Sequence, residues 1–190
     1  MIRFSIADSR SDASSLARFF QAGLTSSYIS HAEHQGYRAK SPSEWATDIG
    51  DVLYGEIAER LGGALDRIPQ TDFWQGVIEG RDDGQLVALA FVTTCRRAVV
   101  PFGIIEDVVV DASMRGRGYG STAMQWIIEQ LADTGIRRTF LESGEHNHDA
   151  HHLFENLKFK KISIVMIARR MSRHNALVSG FFGIPPRHLR

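Results

Sequence analysis

Apolar positions recur along this 190-residue chain with two periods, and the switches between them outline its elements. Ile2 to Ala7 alternates as a short strand, and Ser11 or Asp12 then caps a helix that gathers Leu16, Phe19, Phe20 and Leu24 on one face. Tyr28 to Lys40 is polar and reads as loop. Ser41-Pro42-Ser43-Glu44 has the Ser, first-turn Pro and third-position Glu of a capping box, so a second helix is predicted to begin there, to carry Trp45, Ile49, Val52, Leu53, Ile57 and Leu61 at helical spacing, and to stop near Gly62-Gly63. Phe73 to Glu79 and Leu86 to Cys95 read as strands joined at Arg81-Asp82-Asp83-Gly84, where Asp-Gly supplies the positive φ values of a tight hairpin. Val99 to Val110 completes an antiparallel meander.

Beyond it the period lengthens. A helix is predicted from Gly118 to about Asp133 with Met124, Ile127, Ile128 and Leu131 inward, and Gly135 is its stop. Arg138 to Leu141 is the next strand, Asp149 caps a short helix through Leu157, and Phe159 to Ala168 alternates as a last strand. Strand and helices, then a meander, then strand-helix-strand units make an α+β layout with helices flanking the sheet. The length and the 43% hydrophobic content support one sizeable core.

Charge and cysteine narrow the setting. Cys95 is alone, which excludes an internal disulfide and a cysteine zinc site, and a reducing cytoplasm is the expected home. No apolar run approaches the length of a bilayer span and the first residues lack a signal-peptide core, so no membrane association is expected. All 22 acidic residues lie at or before Glu155, while eight of the 22 basic residues follow it. Those basic residues are spread along a strand pattern and a Pro-containing tail without interleaved aromatics, which argues for a surface or subunit contact and not for nucleic acid. The tail, residues 171–190, is an appended arm and the candidate contact of a homodimer.

The chemistry concentrates between Ile104 and Ser121. An acidic, β-branched run, Ile104 to Val110, leads into Met114-Arg115-Gly116-Arg117-Gly118-Tyr119-Gly120-Ser121, which reads as strand, glycine-arginine loop and helix start. Glycines let backbone amides approach a phosphate, the helix N-terminus adds partial positive charge, and Arg115 and Arg117 add full charges. This loop and a second motif resemble the GNAT superfamily of N-acetyltransferases over about residues 2 to 170. Arg115, Gly118 and Gly120 fill the superfamily's coenzyme signature. Asn147, Ala150, Leu153, Phe154 and Phe159 follow its second pattern, with Phe154 where tyrosine is usual and Lys158 where glycine is usual.

The resemblance implies a three-layer α/β/α fold with a mixed, mostly antiparallel central sheet. It also implies acetyl-CoA as co-substrate, held by the backbone of Val108, Val109 and Val110, by the amides of Gly116, Arg117, Gly118, Tyr119, Gly120 and Ser121, and by Asn147 and Phe154. Acetyl transfer to an amine needs a base near Val108, and Glu106 is the candidate because it shares a strand face with Val108 while Asp107 faces away. The alternative for Glu106 is an ion pair with Arg96 or Arg97. The tyrosine that often protonates the departing thiolate is replaced by Phe154, so that role falls to a histidine of the 148–152 cluster, to Tyr28, Tyr37 or Tyr54, or to no group.

Glu145, His146, His148, Asp149, His151 and His152 do not have the separated-segment arrangement of a closed zinc site, and no metal is expected. The stretch His148 to His151 is similar to one in aminoalkylphosphonate N-acetyltransferases. Ten acids between residues 44 and 83 set an acidic wall on the acceptor side, either steering a cationic amine or simply solvated. The expected acceptor is a small amine. Two rival readings stand beside it: an acyl-CoA-binding sensor without catalysis, and a dinucleotide-binding oxidoreductase with Glu142 in the ribose-binding place.

Overall fold

The computed structural model describes residues 1–167. In chain order these form β1 (Arg3–Ile6), α1 (Ala13–Gly23), α2 (His31–Gln35), β2 (Ala39–Ser41), β3 (Glu44–Trp45), α3 (Ile49–Arg60), β4 (Phe73–Asp82), β5 (Gln85–Cys95), β6 (Phe102–Val110), α4 (Tyr119–Asp133), β7 (Arg138–Leu141) and α5 (His148–Asn156). Met1–Lys160 make one compact unit, and Lys161 to Ile167 fall in another. The sheet order is β1-β4-β5-β6-β7. The first four strands pair antiparallel, and β6 pairs with β7 in parallel through the crossover that α4 fills.

The period-2 pattern divides the strands between two cores. Val77, Leu89, Phe91 and Val109 bury against Leu16, Phe20, Leu53 and Ile57 of α1 and α3. Ile78, Ala90, Val92 and Ile105 bury on the opposite face against Met124, Ile127 and Leu131 of α4. Each of these side chains larger than alanine is worth about 1.5–3 kcal/mol when fully buried, so the sheet is held from both sides and the three-layer α+β expectation is met. Asp83 and Gly84 take φ of 48° and 84° in the β4–β5 hairpin, as the Asp-Gly pair predicts.

Three local expectations are corrected. The capping box at Ser41 opens no helix: Ser41 pairs with Glu44 in the small β2–β3 hairpin, with Pro42 in its turn, and α3 starts only at Ile49. Trp45 is pinned there because its indole N–H donates to the Thr25 carbonyl at 3.2 Å and its ring packs on Tyr28. Within the expected loop, Ser30 and Glu33 make the real capping box, which starts α2. Asn147, not Asp149, is the N-cap of α5, and Asp149 sits in its first turn, where a carboxylate suits the helix dipole.

The strand expected from Phe159 to Ala168 is absent over its described part, residues 159–167. Alternation supplies a face, but a strand also needs a ladder partner. The arm assigned to residues 171–190, and the dimer contact assigned to it, lie outside the described residues.

Candidate active site

The site is built where β6 outruns β7. Their parallel ladder runs from the Phe102–Arg138 pair to the Ile105–Leu141 pair and ends, while β6 continues to Val110. Beyond that point a cleft opens, lined among others by Tyr28, Glu106, Val108, Ser143, Asn147 and Phe154. Sequence reasoning therefore brought Glu106, Val108, Asn147 and Phe154 to one place. Val109 points instead into the core under α1 and α3, so its side chain packs and only its backbone is in line with the cleft.

At the end of β6, Asp111 caps a 3-10 turn, Ala112–Met114, and the glycine loop follows. Gly116 and Gly118 have φ of 75° and 84°, and a Cβ at either would meet nothing within 4 Å. Gly118 is the N-cap of the 15-residue α4 and brings no side-chain cap, so the first amides of α4 carry the unpaired donors and positive dipole that a pyrophosphate satisfies. Arg117 and Gly118 are exposed, whereas the Arg115 guanidinium donates to the Gly23 carbonyl at 3.0 Å and braces the loop against the end of α1. The Tyr119 hydroxyl donates to Asp82 at 2.5 Å, tying the start of α4 to the β4–β5 hairpin and leaving its amide at the helix mouth. These residues fit a pyrophosphate-bearing coenzyme: an open, cation-flanked amide cradle continues a strand that, among the described residues, has no strand partner on the cleft side beyond Ile105, where the Val108 amide bonds to the Tyr28 hydroxyl.

On the other wall a β-bulge changes the expected alternation. Phe91 pairs with Asp107 but Val92 pairs with Ile105, so Glu106 is the extra residue. As a result Glu106 and Asp107 both turn toward α1 and α3, and Val108 turns away. Glu106 and Val108 do not share a face. Period-2 reasoning fails here because one inserted residue shifts every later side chain.

Glu106 is ion-paired, but to neither Arg96 nor Arg97. Arg60, at the end of α3, donates to Glu106 Oε2 at 2.6 Å, and Thr93 Oγ1 donates to Oε1. Arg60 lies 4.9 Å over the Phe91 ring, and Arg96 donates to the Thr134 carbonyl instead. Asp107 is 3% exposed and accepts from Arg38 at 2.9 Å and from the Tyr28 hydroxyl at 2.9 Å. Burial lifts the Asp107 carboxyl above the usual range against the opposing pull of Arg38.

Arg38 joins Asp107 to Glu56, with the Glu33 carboxylate 3.7 Å away, and lies between the Phe20 and Phe91 rings, 5.6 Å from each. Burial opposes the charge of Arg38, but Asp107 and Glu56 outweigh it and keep the guanidinium protonated. Of the ten acids between residues 44 and 83, Glu56 thus turns inward. Neither the network of Tyr28, Glu33, Arg38, Glu56 and Asp107 nor the separate Arg60–Glu106 pair was found from the sequence. The Ser30-x-x-Glu33 box was its one local signal.

Glu142 follows β7 and accepts from the amides of His31 and Ala32 at 2.9 and 3.2 Å, with His31 Nδ1 also paired to it. It caps α2, so the ribose role in the dinucleotide reading has no carboxylate, and the antiparallel meander before the glycine loop is not a doubly wound sheet.

Comparison with known proteins agrees. The family model described as the acetyltransferase (GNAT) family matches residues 31–159, and the chain belongs to that family, whose acyl donor is acetyl-CoA. No curated protein matches the chain in sequence. Among solved structures, the ribosomal-protein-alanine N-acetyltransferase of Brucella melitensis biovar Abortus 2308 superposes with TM-score 0.57 at 12% identity, covering 90% of this chain and 100% of that one. An aminoglycoside N-acetyltransferase in complex with CoA gives 0.57 at 13%, over 90% of this chain and 96% of that one. A possible acetyltransferase from Clostridium difficile 630 gives 0.59 at 17%, over 91% and 99%. At these identities the shared property is the fold. No helix among the described residues is long and apolar enough to cross a membrane.

Proposed function

We propose that this chain transfers the acetyl group of acetyl-CoA to a primary amine of a small acceptor, by direct attack of the amine on the thioester. The observation that carries this reading is the opening of β6 from β7 directly ahead of the glycine cradle, with the Glu106 carboxylate on its wall. Arg117 and the amides from Gly116 to Ser121 hold the pyrophosphate, and Val108 to Val110, Asn147 and Phe154 border the pantetheine and thioester. The bound co-substrate supplies an activated acyl group.

Glu106 is the proposed base. Arg60 holds its carboxylate in place, and the carboxylate keeps lone pairs for a proton taken from the amine, directly or through one water. Anionic side chains on the acceptor wall favour a cationic amine, and release of its proton next to Glu106 makes it nucleophilic. The test is release of free thiol from acetyl-CoA over a panel of small amines. Turnover with at least one amine, lowered tenfold or more by Glu106→Gln, is expected, and Arg117→Ala is expected to raise the KM for acetyl-CoA. Tight acetyl-CoA binding with no thiol above blank from any amine would instead leave the sensor reading, which Phe154 in the cleft wall favours.

A further inference from the structure

Resting on the transfer reaction proposed above, we infer that Tyr28 is the acid that protonates the departing thiolate, supplied from the loop between α1 and α2 because Phe154 brings no proton to the same cleft. Among the described residues the chain has four tyrosines, and three are placed elsewhere. Tyr37 is 89% exposed, Tyr54 is 49% exposed on α3, and Tyr119 is spent on Asp82. Tyr28 alone of the four lines the cleft.

Its hydroxyl is placed by two hydrogen bonds and by the packing of its ring. It accepts from the Val108 amide at 3.1 Å and donates to Asp107 Oδ1 at 2.9 Å, and its ring packs edge-on against Phe20, with centroids 6.4 Å apart. The Val108 amide sits where β6 has lost its β7 partner, in the cleft wall that also holds Glu106. A hydroxyl bonded to that amide therefore lies at the reacting end of a coenzyme that runs along β6. Desolvation first, and then the Asp107 charge, push the phenol well above its ordinary range, so it stays protonated through neutral pH. The bulge serves this arrangement. Had β6 kept strict alternation, Asp107 would face α4 and the phenol would lose its partner.

The protons balance. The amine nitrogen forms its bond to the acetyl carbon, the C–S bond breaks with its electron pair on sulfur, and Tyr28 gives its phenolic proton to that sulfur. Glu106 takes the surplus proton from nitrogen and releases it to water, and water returns one proton to the Tyr28 oxygen. The products are the amide and the free thiol, with both side chains restored.

Two measurements on the full chain test this. In the first, Tyr28→Phe, which keeps the ring, is compared with wild type using acetyl-CoA and an acetyl thioester of a more acidic aryl thiol. A donor whose thiolate leaves unaided needs no acid. The variant is expected to lose tenfold or more in kcat with acetyl-CoA and little with the aryl thioester, and Phe154→Tyr is expected to restore most of the loss in the Tyr28→Phe background.

In the second, calorimetry compares CoA with desulfo-CoA. Wild type is expected to prefer CoA by about fivefold, roughly the 1 kcal/mol of one hydrogen bond to sulfur, and Tyr28→Phe to lose that preference without turnover being involved. Equal kcat losses with both donors, or an unchanged preference for CoA, would overturn the role of Tyr28 while leaving acetyl transfer in place. No thiol release by wild type from any donor and amine would overturn both.

Discussion

The two sides of β6 are built by different means. On the cradle side, the parts proposed to hold the coenzyme lie close together in sequence, from Ile104 to Ser121 with Asn147 and Phe154 nearby, and most of them offer backbone: the strand end beyond the β7 ladder, positive-φ glycines and the first amides of α4. On the proposed acceptor side, Tyr28, Glu33, Arg38, Glu56 and Asp107 come from separated stretches and meet as side chains, with the Arg60–Glu106 pair beside them. A phosphate cradle tolerates many side chains because amides do the work. A charge network tolerates few, because each member is the counter-ion of another. The acceptor wall is accordingly the half in which a single substitution damages the fold, and the cradle is the half in which it damages binding.

Arg38→Met breaks that contrast open most forcefully. It keeps the length of the stem between Phe20 and Phe91 but leaves the buried Asp107 without its cation and Glu56 without a partner. Removing one partner of a buried pair costs about 3–5 kcal/mol, so urea unfolding followed by circular dichroism is expected to show a loss of that size. The folded fraction at low temperature is expected to bind CoA within twofold of wild type. A collapse of CoA affinity with little loss of stability would mean that the two halves are one network.

The seam between the halves gives the next effect. A Cβ at Gly144 would lie 2.6 Å from the Ile29 carbonyl oxygen and closer still to that of Ser27, and backbone on both sides has nowhere to go. Gly144→Ala is expected to lift the Tyr28 loop from the end of β7, costing about 1–3 kcal/mol as overpacking does. In steady-state kinetics it is expected to raise the acceptor KM more than that of acetyl-CoA. An equal rise in both would show that the loop supports the coenzyme as well.

What could be read in advance follows the same division. The β4–β5 hairpin, α4 and β7 were legible because turn chemistry and periodicity act over a few residues. The cradle was legible because the glycines that let amides face an anion must stand at short spacing. Ser41 to Glu44 misled because a capping box is only as good as the helix behind it, and the β2–β3 hairpin with Trp45 held on Thr25 competes for the same residues. Glu106 was read as the candidate base and lies in the cleft wall, yet its facing was misread. The bulge that turns it beside Asp107 depends on how β5 registers against β6, and no spacing within β6 reveals it. Arg38 and Arg60 carried no local mark, since their partners stand up to 69 residues away.

On the cradle side, Gly118→Ala sharpens the contrast. Space is open around the position, so the cost is conformational: a Cβ at φ 84° is disfavoured by about 1–2 kcal/mol. The expected melting shift is small, while CoA affinity by calorimetry is expected to fall tenfold or more as the loop relaxes and turns its amides away. A variant that binds CoA normally would show that the cradle is carried by the arginines and not by the backbone.

The smallest effect concerns the other departure from the family pattern. Lys158 follows the end of α5 with φ of 71°, and Phe159 N–H donates to the Phe154 carbonyl at 3.0 Å, the six-residue closure of a Schellman turn. A lysine in this left-handed position is strained where glycine is not, so Lys158→Gly is expected to stabilise the chain by about 0.5–1 kcal/mol, net of the greater freedom glycine gives the unfolded chain. The turn also fixes Phe154, whose ring packs on Phe159 with centroids 6.2 Å apart. If Lys158 only caps the helix, thermal unfolding rises and kcat stays within twofold. If kcat moves severalfold while the melting temperature does not, the end of α5 positions the cleft wall, and this departure, like the one at Phe154, bears on catalysis.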